Sequence, residues 1–247
     1  MDASSSNTTA APNNGWIIVC DFDGTISCDD VTDGILERFA RPGWQQLESA
    51  WQRGEIGSAV CMSGQIELLD VSPEELATYL AAMAIDACFP QFFAAATAAG
   101  IPLVIASDGL DMAITSVLRR HALPSLPIIS NRLIARGARQ WQLQMPFGSA
   151  DCVVASGTCK CAAAERLRRG WRRVLLIGDG TSDFCVARQA DYVLAKERLA
   201  SHCSAAGIAH TKIDNFADAL AFLPQLCAPH ESTDTLFPRT QESAPHA

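Results

Sequence analysis

Short apolar runs, each followed by polar residues, constrain the fold of this chain more than any other feature. The clearest runs are Trp16 to Cys20, Ile101 to Ala106 and Val174 to Ile177, with a weaker run at Tyr192 to Ala195. Each run is too short for a buried helix, and longer helical patterns lie between them. This alternation predicts an α/β fold with a Rossmann-like parallel sheet covered by helices on both faces.

Length and charge exclude several classes of protein. The chain has 247 residues and a net charge of −8, which argues against nucleic acid as a partner because phosphate attraction needs a basic face. No apolar stretch approaches the roughly 20 residues that span a bilayer, so no membrane partner is expected. The first residues do not form a basic segment followed by an apolar run, so we expect a cytoplasmic protein with reduced thiols.

The central part of the chain divides into two predicted units. Residues 27–95 contain several helical patterns and no convincing strand, which predicts a small helical cap inserted after the first strand. Residues 15–26 and 96–227 then form the catalytic core. Residues 1–14 and 228–247 lack apolar periodicity and are predicted to be disordered tails.

Two further patterns place local structure within these units. The sequence Ser72-Pro73-Glu74-Glu75 is a capping box with proline at the first helical position, which predicts a helix reaching about Met83. Short apolar segments on either side of Ala135 to Ala138 predict a β-hairpin around residues 127–145.

An acidic pair follows the first run. Asp21 and Asp23 are two positions apart on an extended chain, so their side chains leave on the same side. Two such carboxylates repel each other unless a cation neutralises them or one is protonated. The pair suits Mg²⁺, and it also suits a nucleophile at Asp21 and a general acid and base at Asp23. The alternative is a solvated turn whose acids cap the next helix.

Two later segments are suited to hold phosphate. Ser107, Asp108 and Gly109 follow the second run, where a hydroxyl and the amides of a helix beginning near Leu110 would bind an oxyanion, or simply cap the helix. Lys160 is one of only three lysines, and it precedes a helical pattern. Its ammonium would neutralise both phosphate and nucleophile, whereas most single lysines are solvated surface residues.

A second acidic pair follows the third run, in Gly178-Asp179-Gly180-Thr181-Ser182-Asp183. Asp179 would reach a metal from the strand end, and Asp183 would orient the metal's waters or the lysine. The alternative is a glycine-rich turn before a capped helix.

Taken in order, the acidic pair, the hydroxyl, the lysine and the second acidic pair resemble the four motifs of haloacid dehalogenase superfamily phosphatases. The resemblance covers about residues 16–226. It implies two-step phosphoryl transfer, in which Asp21 attacks phosphorus to form an aspartyl-phosphate. Asp23 would protonate the leaving oxygen and then activate water. The resemblance further implies a phosphate site formed by Ser107, Asp108, Gly109 and Lys160. It also implies a Mg²⁺ site formed by Asp21, the Asp23 backbone carbonyl and Asp179, with Asp183 in support.

The helical insert and the segment Ser130 to Leu133 resemble the phosphoserine-phosphatase-like branch, subclass IB. In that branch a cap acid binds the substrate ammonium and a cap arginine binds its carboxylate. Asp30 stands at the position of the acid, but Ser63 or Gln65 occupies that of the arginine. No lysine or arginine occurs from Gly54 to Leu118. Since a carboxylate buried without a cation costs several kcal/mol, an amino-acid phosphate is disfavoured unless Arg38, Arg41 or Arg53 supplies the charge from another side.

Other segments resemble the methionine-salvage phosphatase group that acts on 2-hydroxy-3-keto-5-methylthiopentenyl-1-phosphate. They are Ser107 to Asp111, Asp183-Phe184-Cys185 and Ala195 to Leu199. Asp183-Phe184-Cys185 also resembles phosphocholine and phosphoethanolamine phosphatases, in which Asp30 would face the cationic head. We therefore predict a Mg²⁺-dependent phosphoric monoester hydrolase whose partner is a small phosphorylated metabolite.

Three alternatives stay open at this point. A signalling receiver also uses an aspartate, a hydroxyl and a lysine at strand ends, although its acidic pair and its phosphorylated aspartate lie on different strands. A phosphatase fold kept only for binding is a second. The third concerns Cys152, Cys159 and Cys161, which would be zinc ligands or plain thiols.

Overall fold

The centre of the molecule is a seven-stranded sheet in the order β4-β3-β2-β1-β5-β6-β7. The structure is a computed structural model, which describes residues 15–123 and 125–227. Neighbouring strands are parallel except β3 and β4, which form the predicted hairpin. The strands are β1 (Trp16–Cys20), β2 (Leu103–Leu110), β3 (Ile128–Ala135), β4 (Trp141–Gln144), β5 (Arg173–Gly178), β6 (Tyr192–Ala195) and β7 (His210–Lys212).

Helices lie in every connection between successive strands except the β3–β4 hairpin, which confirms the predicted α/β fold. They are α1 (Val31–Phe39), α2 (Trp44–Gln52), α3 (Ser58–Glu67), α4 (Pro73–Leu80), α5 (Phe89–Ala98), α6 (Asp111–Arg120), α7 (Lys160–Arg168), α8 (Phe184–Ala187), α9 (Glu197–Ala206) and α10 (Phe216–Cys227), with a 3-10 turn at Thr181–Asp183. The predictions for residues 1–14 and 228–247 lie outside the described residues.

The position of β1 at the middle of the sheet explains its unbroken apolar sequence. Trp16, Ile18 and Cys20 belong to a core cluster on one face, whereas Ile17 and Val19 belong to a cluster on the other. Because helices cover both faces, neither set of alternate side chains contacts solvent. The chain can become polar only where the strand ends, at Asp21.

Residues 27–95, which we call the helical insert, contain α1 to α4 and most of α5. The capping box at Ser72 is present, with both reciprocal bonds to Glu75, and α4 ends at Leu80, three residues before the predicted end. In helix α5, Phe89 and Phe92 contact Phe216 of α10. The division into cap and core stays a prediction.

Three polar segments meet at one edge of the sheet because β2, β1 and β5 are neighbours with their carboxyl ends together. Asp21 follows β1, Ser107 lies in β2, and Asp179 follows β5. Ligands of open parallel sheets bind in the crevice beyond these ends. Within the described ranges, we find no helix that is both apolar enough and long enough to cross a membrane.

Candidate active site

Lys160 lies at the centre of the site, between two carboxylates. Its Nζ is 2.5 Å from Asp21 Oδ2 and 2.7 Å from Asp183 Oδ1, and all three side chains are buried. Burial by itself lowers the pKa of Lys160, but Asp183 and Asp21 raise it by more, so the net shift is upward. The lysine is therefore held as a cation among acids.

Asp21, Asp179 and Asp183 form an acidic cluster beside this lysine. They can each offer one oxygen such that the three atoms lie within 4.8 Å of one another. Burial, followed by repulsion from Asp21, raises the pKa of Asp179 to about 6. Burial raises the pKa of Asp183 to about 7, although Lys160 opposes the shift. One ammonium thus leaves negative charge uncompensated, and three carboxylates, two of them buried and one half-buried, offer the oxygen ligands that a hard cation prefers.

The 3-10 turn after β5 explains how Asp183 returns to the cluster. Asp183 Oδ2 accepts hydrogen bonds from the backbone amides of Asp179 and Gly180, at 3.2 and 3.3 Å. A Cβ at Gly178 would overlap the Asp183 carboxylate, so only glycine fits at position 178. Gly24 has a φ of +69°, and a Cβ there would lie 2.7 Å from Asp179 Oδ2. Glycine at both positions lets backbone lie directly against carboxylates.

Asp23 turns toward the helical insert instead of the lysine. Its carboxylate accepts from the Val31 amide at 3.0 Å and from Thr32 Oγ1 at 3.1 Å, at the start of α1. Burial and the nearby charges of Asp30 and Asp21 raise its pKa well above the ordinary value, despite these bonds. A carboxyl with a raised pKa is one that can carry a proton at neutral pH, as a general acid requires.

Two residues of the predicted phosphate site, Ser107 and Gly109, lie beside Asp23. Ser107 is buried, and its Oγ accepts from the Gly109 amide at 3.0 Å. A Cβ at Gly109 would overlap Asp23 Oδ2, which is why the position has no side chain. The Asp108 carboxylate is bonded to Ser58, Asn131 and Thr158.

Asp30 lies at the mouth of the site, as the N-cap of α1. It is exposed, and its Oδ1 accepts from the Asp33 amide at 2.8 Å. Desolvation by the surrounding protein, followed by repulsion from Asp33, raises its pKa to about 6. Its role in specificity stays a prediction.

Three polar residues contribute contacts that the sequence reasoning missed. Thr25 Oγ1 donates to Asp179 Oδ1 at 2.8 Å, and Ser182 Oγ accepts from Lys160 at 2.9 Å. Lys196 Nζ donates to the carbonyl of Gly24 at 3.0 Å. Their positions in the sequence could have indicated all three, because Thr25 and Ser182 lie inside the acidic motifs and Lys196 directly follows the predicted strand at Tyr192 to Ala195.

The cysteines do not form a comparable cluster. Cys152 Sγ lies 3.2 Å from Ser156 Oγ, and Cys159 is the N-cap of α7. Across residues 15–123 and 125–227, the acidic cluster is the only group of three or more histidine, cysteine, aspartate or glutamate side chains arranged closely enough to hold a metal.

Comparison with known proteins shows the family to which the chain belongs. The family model of haloacid dehalogenase-like hydrolases matches residues 18–188, which is more than half of the chain and includes the motifs at Asp21, Ser107, Lys160 and Asp183. The chain belongs to this family, as the sequence predicted. The predicted enzyme class, a phosphoric monoester hydrolase, is also confirmed.

Two relatives that match most of the chain carry the same enzyme name. The chain is 29% identical over 217 residues to the 2-hydroxy-3-keto-5-methylthiopentenyl-1-phosphate phosphatase of Geobacillus kaustophilus, covering 85% of this chain and 96% of that protein. It is 27% identical over 208 residues to the phosphatase of the same name from an Exiguobacterium species, covering 83% and 96%.

A solved structure supports the fold alone. A phosphoserine phosphatase, solved as an analogue of its phospho-aspartyl intermediate, has a TM-score of 0.64 and 16% sequence identity to this chain. The alignment covers 85% of this chain and 99% of the phosphoserine phosphatase.

Proposed function

We propose that the chain hydrolyses a small phosphate monoester through an aspartyl-phosphate on Asp21, with Mg²⁺ at the acidic cluster. The observation that carries this proposal is the contact of Lys160 with both Asp21 and Asp183 at the sheet edge. Phosphoryl transfer depends mainly on positioning and on neutralising charge, and this arrangement supplies both.

In the first step, an Asp21 carboxylate oxygen forms a bond to phosphorus while the bond from phosphorus to the ester oxygen breaks. Asp23 gives its proton to that leaving oxygen, for which its raised pKa is suited. Lys160 holds the phosphoryl oxygens against Asp21, and Ser107 lies on the other side of the crevice, next to Asp23.

In the second step, Asp23 takes a proton from water, and the water oxygen replaces Asp21 on phosphorus. Asp21 returns to its carboxylate form as inorganic phosphate leaves. Asp21, the backbone carbonyl of Asp23 and Asp179 would hold Mg²⁺, with Asp183 in support; the cation supplies positive charge that the phosphoryl oxygens need. Thr25 fixes Asp179 for this purpose.

For the substrate, we infer 2-hydroxy-3-keto-5-methylthiopentenyl-1-phosphate or a related metabolite. Support comes from the two relatives of that name, each aligned over more than four fifths of this chain. The absence of lysine and arginine from Gly54 to Leu118 disfavours phosphoserine, because Ser63 or Gln65 stands where an arginine would bind the substrate carboxylate.

The test is a screen of about a hundred phosphorylated metabolites with Mg²⁺ or with EDTA. We expect hydrolysis that needs Mg²⁺, with the named ketone or a close analogue among the best substrates. In Asp21→Asn, turnover should fall to background while the fold is kept, and the exposed Asp151→Asn serves as the matched control. Equal hydrolysis by wild type and Asp21→Asn would refute the proposal.

A further inference from the structure

Asp108 connects three elements through one carboxylate. Oδ2 accepts from Ser58 Oγ of α3 at 2.9 Å, and Oδ1 accepts from Asn131 Nδ2 of β3 at 3.0 Å. Oδ1 also accepts from the Thr158 backbone amide at 2.8 Å, two residues before Lys160. The first of these bonds joins the helical insert to the core, and the other two lie within the core.

Within the core half of this network, the partners of Asp108 are also hydrogen-bonded to each other. Asn131 Nδ2 also donates to the Asp108 carbonyl at 2.6 Å, and Thr158 Oγ1 donates to Asn131 Oδ1 at 3.3 Å. Asn131 and Thr158 are buried, and a Cβ at Gly157 would lie 2.5 Å from Asn131 Oδ1. Asp108 is therefore rigidly fixed to the segment that leads into Lys160.

The insert half depends on the first turn of α3. Ser58 is the first residue of α3, and the N-cap is Gly57, so the Ser58 hydroxyl does not cap its own helix. The adjacent Ala59 amide donates to the Ala155 carbonyl at 2.9 Å, which brings a second bond to the same core loop. A negative charge at the start of α3 is also favourable for the helix dipole.

We propose that Asp108 is a positioning residue that seats the helical insert over the phosphate-binding side chains. Asp108 lies between Ser107 and Gly109 in the chain, and its partner Thr158 lies close to Lys160. One carboxylate thus sets the place of α3 relative to the groups that hold phosphate. This inference rests on the proposed function, in which Ser107 and Lys160 bind the phosphoryl group.

The first test measures para-nitrophenyl phosphate hydrolysis with Mg²⁺ in Ser58→Ala and Ser58→Thr. Ser58→Ala loses a bond to a charged group, so KM should rise about fivefold, while kcat stays within about twofold because the core half is intact. Ser58→Thr keeps the hydroxyl and should restore KM. The control is Ser49→Ala in α2, an exposed serine of the same insert, which should leave both constants unchanged.

A second variant separates the two halves of the network. Asp108→Ala frees Thr158 as well as Ser58, so kcat should fall about tenfold in addition to the rise in KM. The inference is wrong if Ser58→Ala matches the control, if it lowers kcat at constant KM, or if Ser58→Thr does not recover. The Ser58 variants decide the matter even if Asp108→Ala does not fold.

Amide hydrogen exchange provides a readout that needs no turnover. In Ser58→Ala, the amides of Ser58–Glu67 should exchange about fivefold faster than in Ser49→Ala, whereas those of Pro73–Leu80 should not change. Equal exchange in α3 would refute the seating role. Failure of the wild type to hydrolyse any phosphate ester would instead refute the proposed function, and the two failures are thereby distinguishable.

Discussion

The acids on the two sides of the crevice differ in what balances their charge. On the core side, Asp21 and Asp183 contact the ammonium of Lys160. On the insert side, Asp23 and Asp30 are bonded to backbone amides and, for Asp23, to a hydroxyl. The core side therefore has a cation that offsets part of its charge and can bind phosphate, whereas the insert side favours a proton and repels a second anion.

The largest effect should come from removing the cation on the core side. Lys160→Met leaves two buried acids without a cation, so we expect turnover to fall about 1000-fold and the free energy of unfolding to fall by about 3 kcal/mol. Turnover at saturating substrate and urea unfolding measure these changes. Lys212→Met is the control, because that lysine is exposed. Similar turnover in the two variants would remove Lys160 from the mechanism.

Asp23→Asn should have the next largest effect, and its size should depend on the leaving group. Asparagine can still accept from the Val31 amide through Oδ1 and can donate to Thr32 Oγ1 through Nδ2, but it cannot give up a proton, so kcat/KM for an alkyl phosphate should fall about 1000-fold. For para-nitrophenyl phosphate, whose leaving group needs no proton, the loss in kcat/KM should be much smaller, because kcat/KM reports only the steps up to departure of the leaving group. Steady-state kinetics on both esters measures the ratio, with Asp29→Asn as control. Equal losses would contradict the general-acid role.

The acidic cluster should make Mg²⁺ stabilisation depend on pH. The pKa values of Asp179 and Asp183, about 6 and about 7, lie above the ordinary value of about 3.9. Between about pH 4 and 7 the folded metal-free protein binds more protons than the unfolded chain, so its stability falls as pH rises through that window. Charged oxygens bind Mg²⁺ best, so Mg²⁺ should raise Tm more at pH 8 than at pH 5.5.

Thermal unfolding with Mg²⁺ or EDTA at the two pH values measures this difference. Asp183→Asn removes one of the two titrating acids, so its Mg²⁺-induced shift in Tm should vary less with pH. A shift in Tm that is larger at pH 5.5 would contradict the assignment of the metal to this cluster.

The smallest effect should come from the exposed acid on the insert side. Asp30→Asn keeps an N-cap for α1, so folding should not change. It removes one repulsion at the mouth of the site, so kcat/KM for 3-phosphoglycerate should rise about twofold to fivefold, and that for glycerol 3-phosphate should stay constant. An equal change for both esters would show that Asp30 does not discriminate by charge.

Most of the core was predictable because its signals are local. The run Trp16 to Cys20 is β1 residue for residue, and the capping box at Ser72 starts α4. The second strand was harder, since β2 continues to Leu110 while the apolar run stops at Ala106. Polar residues lie inside that strand because its end faces the crevice.

The sequence alone determined the fold class, the family and the order of the motif residues, because strand periodicity and the polar residues after each strand are written along the chain. It could not reveal that Asp108 bonds to Ser58, Asn131 and Thr158, which are 50, 23 and 50 residues away. Nor could it show that Asp21 faces Lys160 while Asp23 faces α1. Those pairings depend on which strands are neighbours and how the insert packs, so only the tertiary structure decided them.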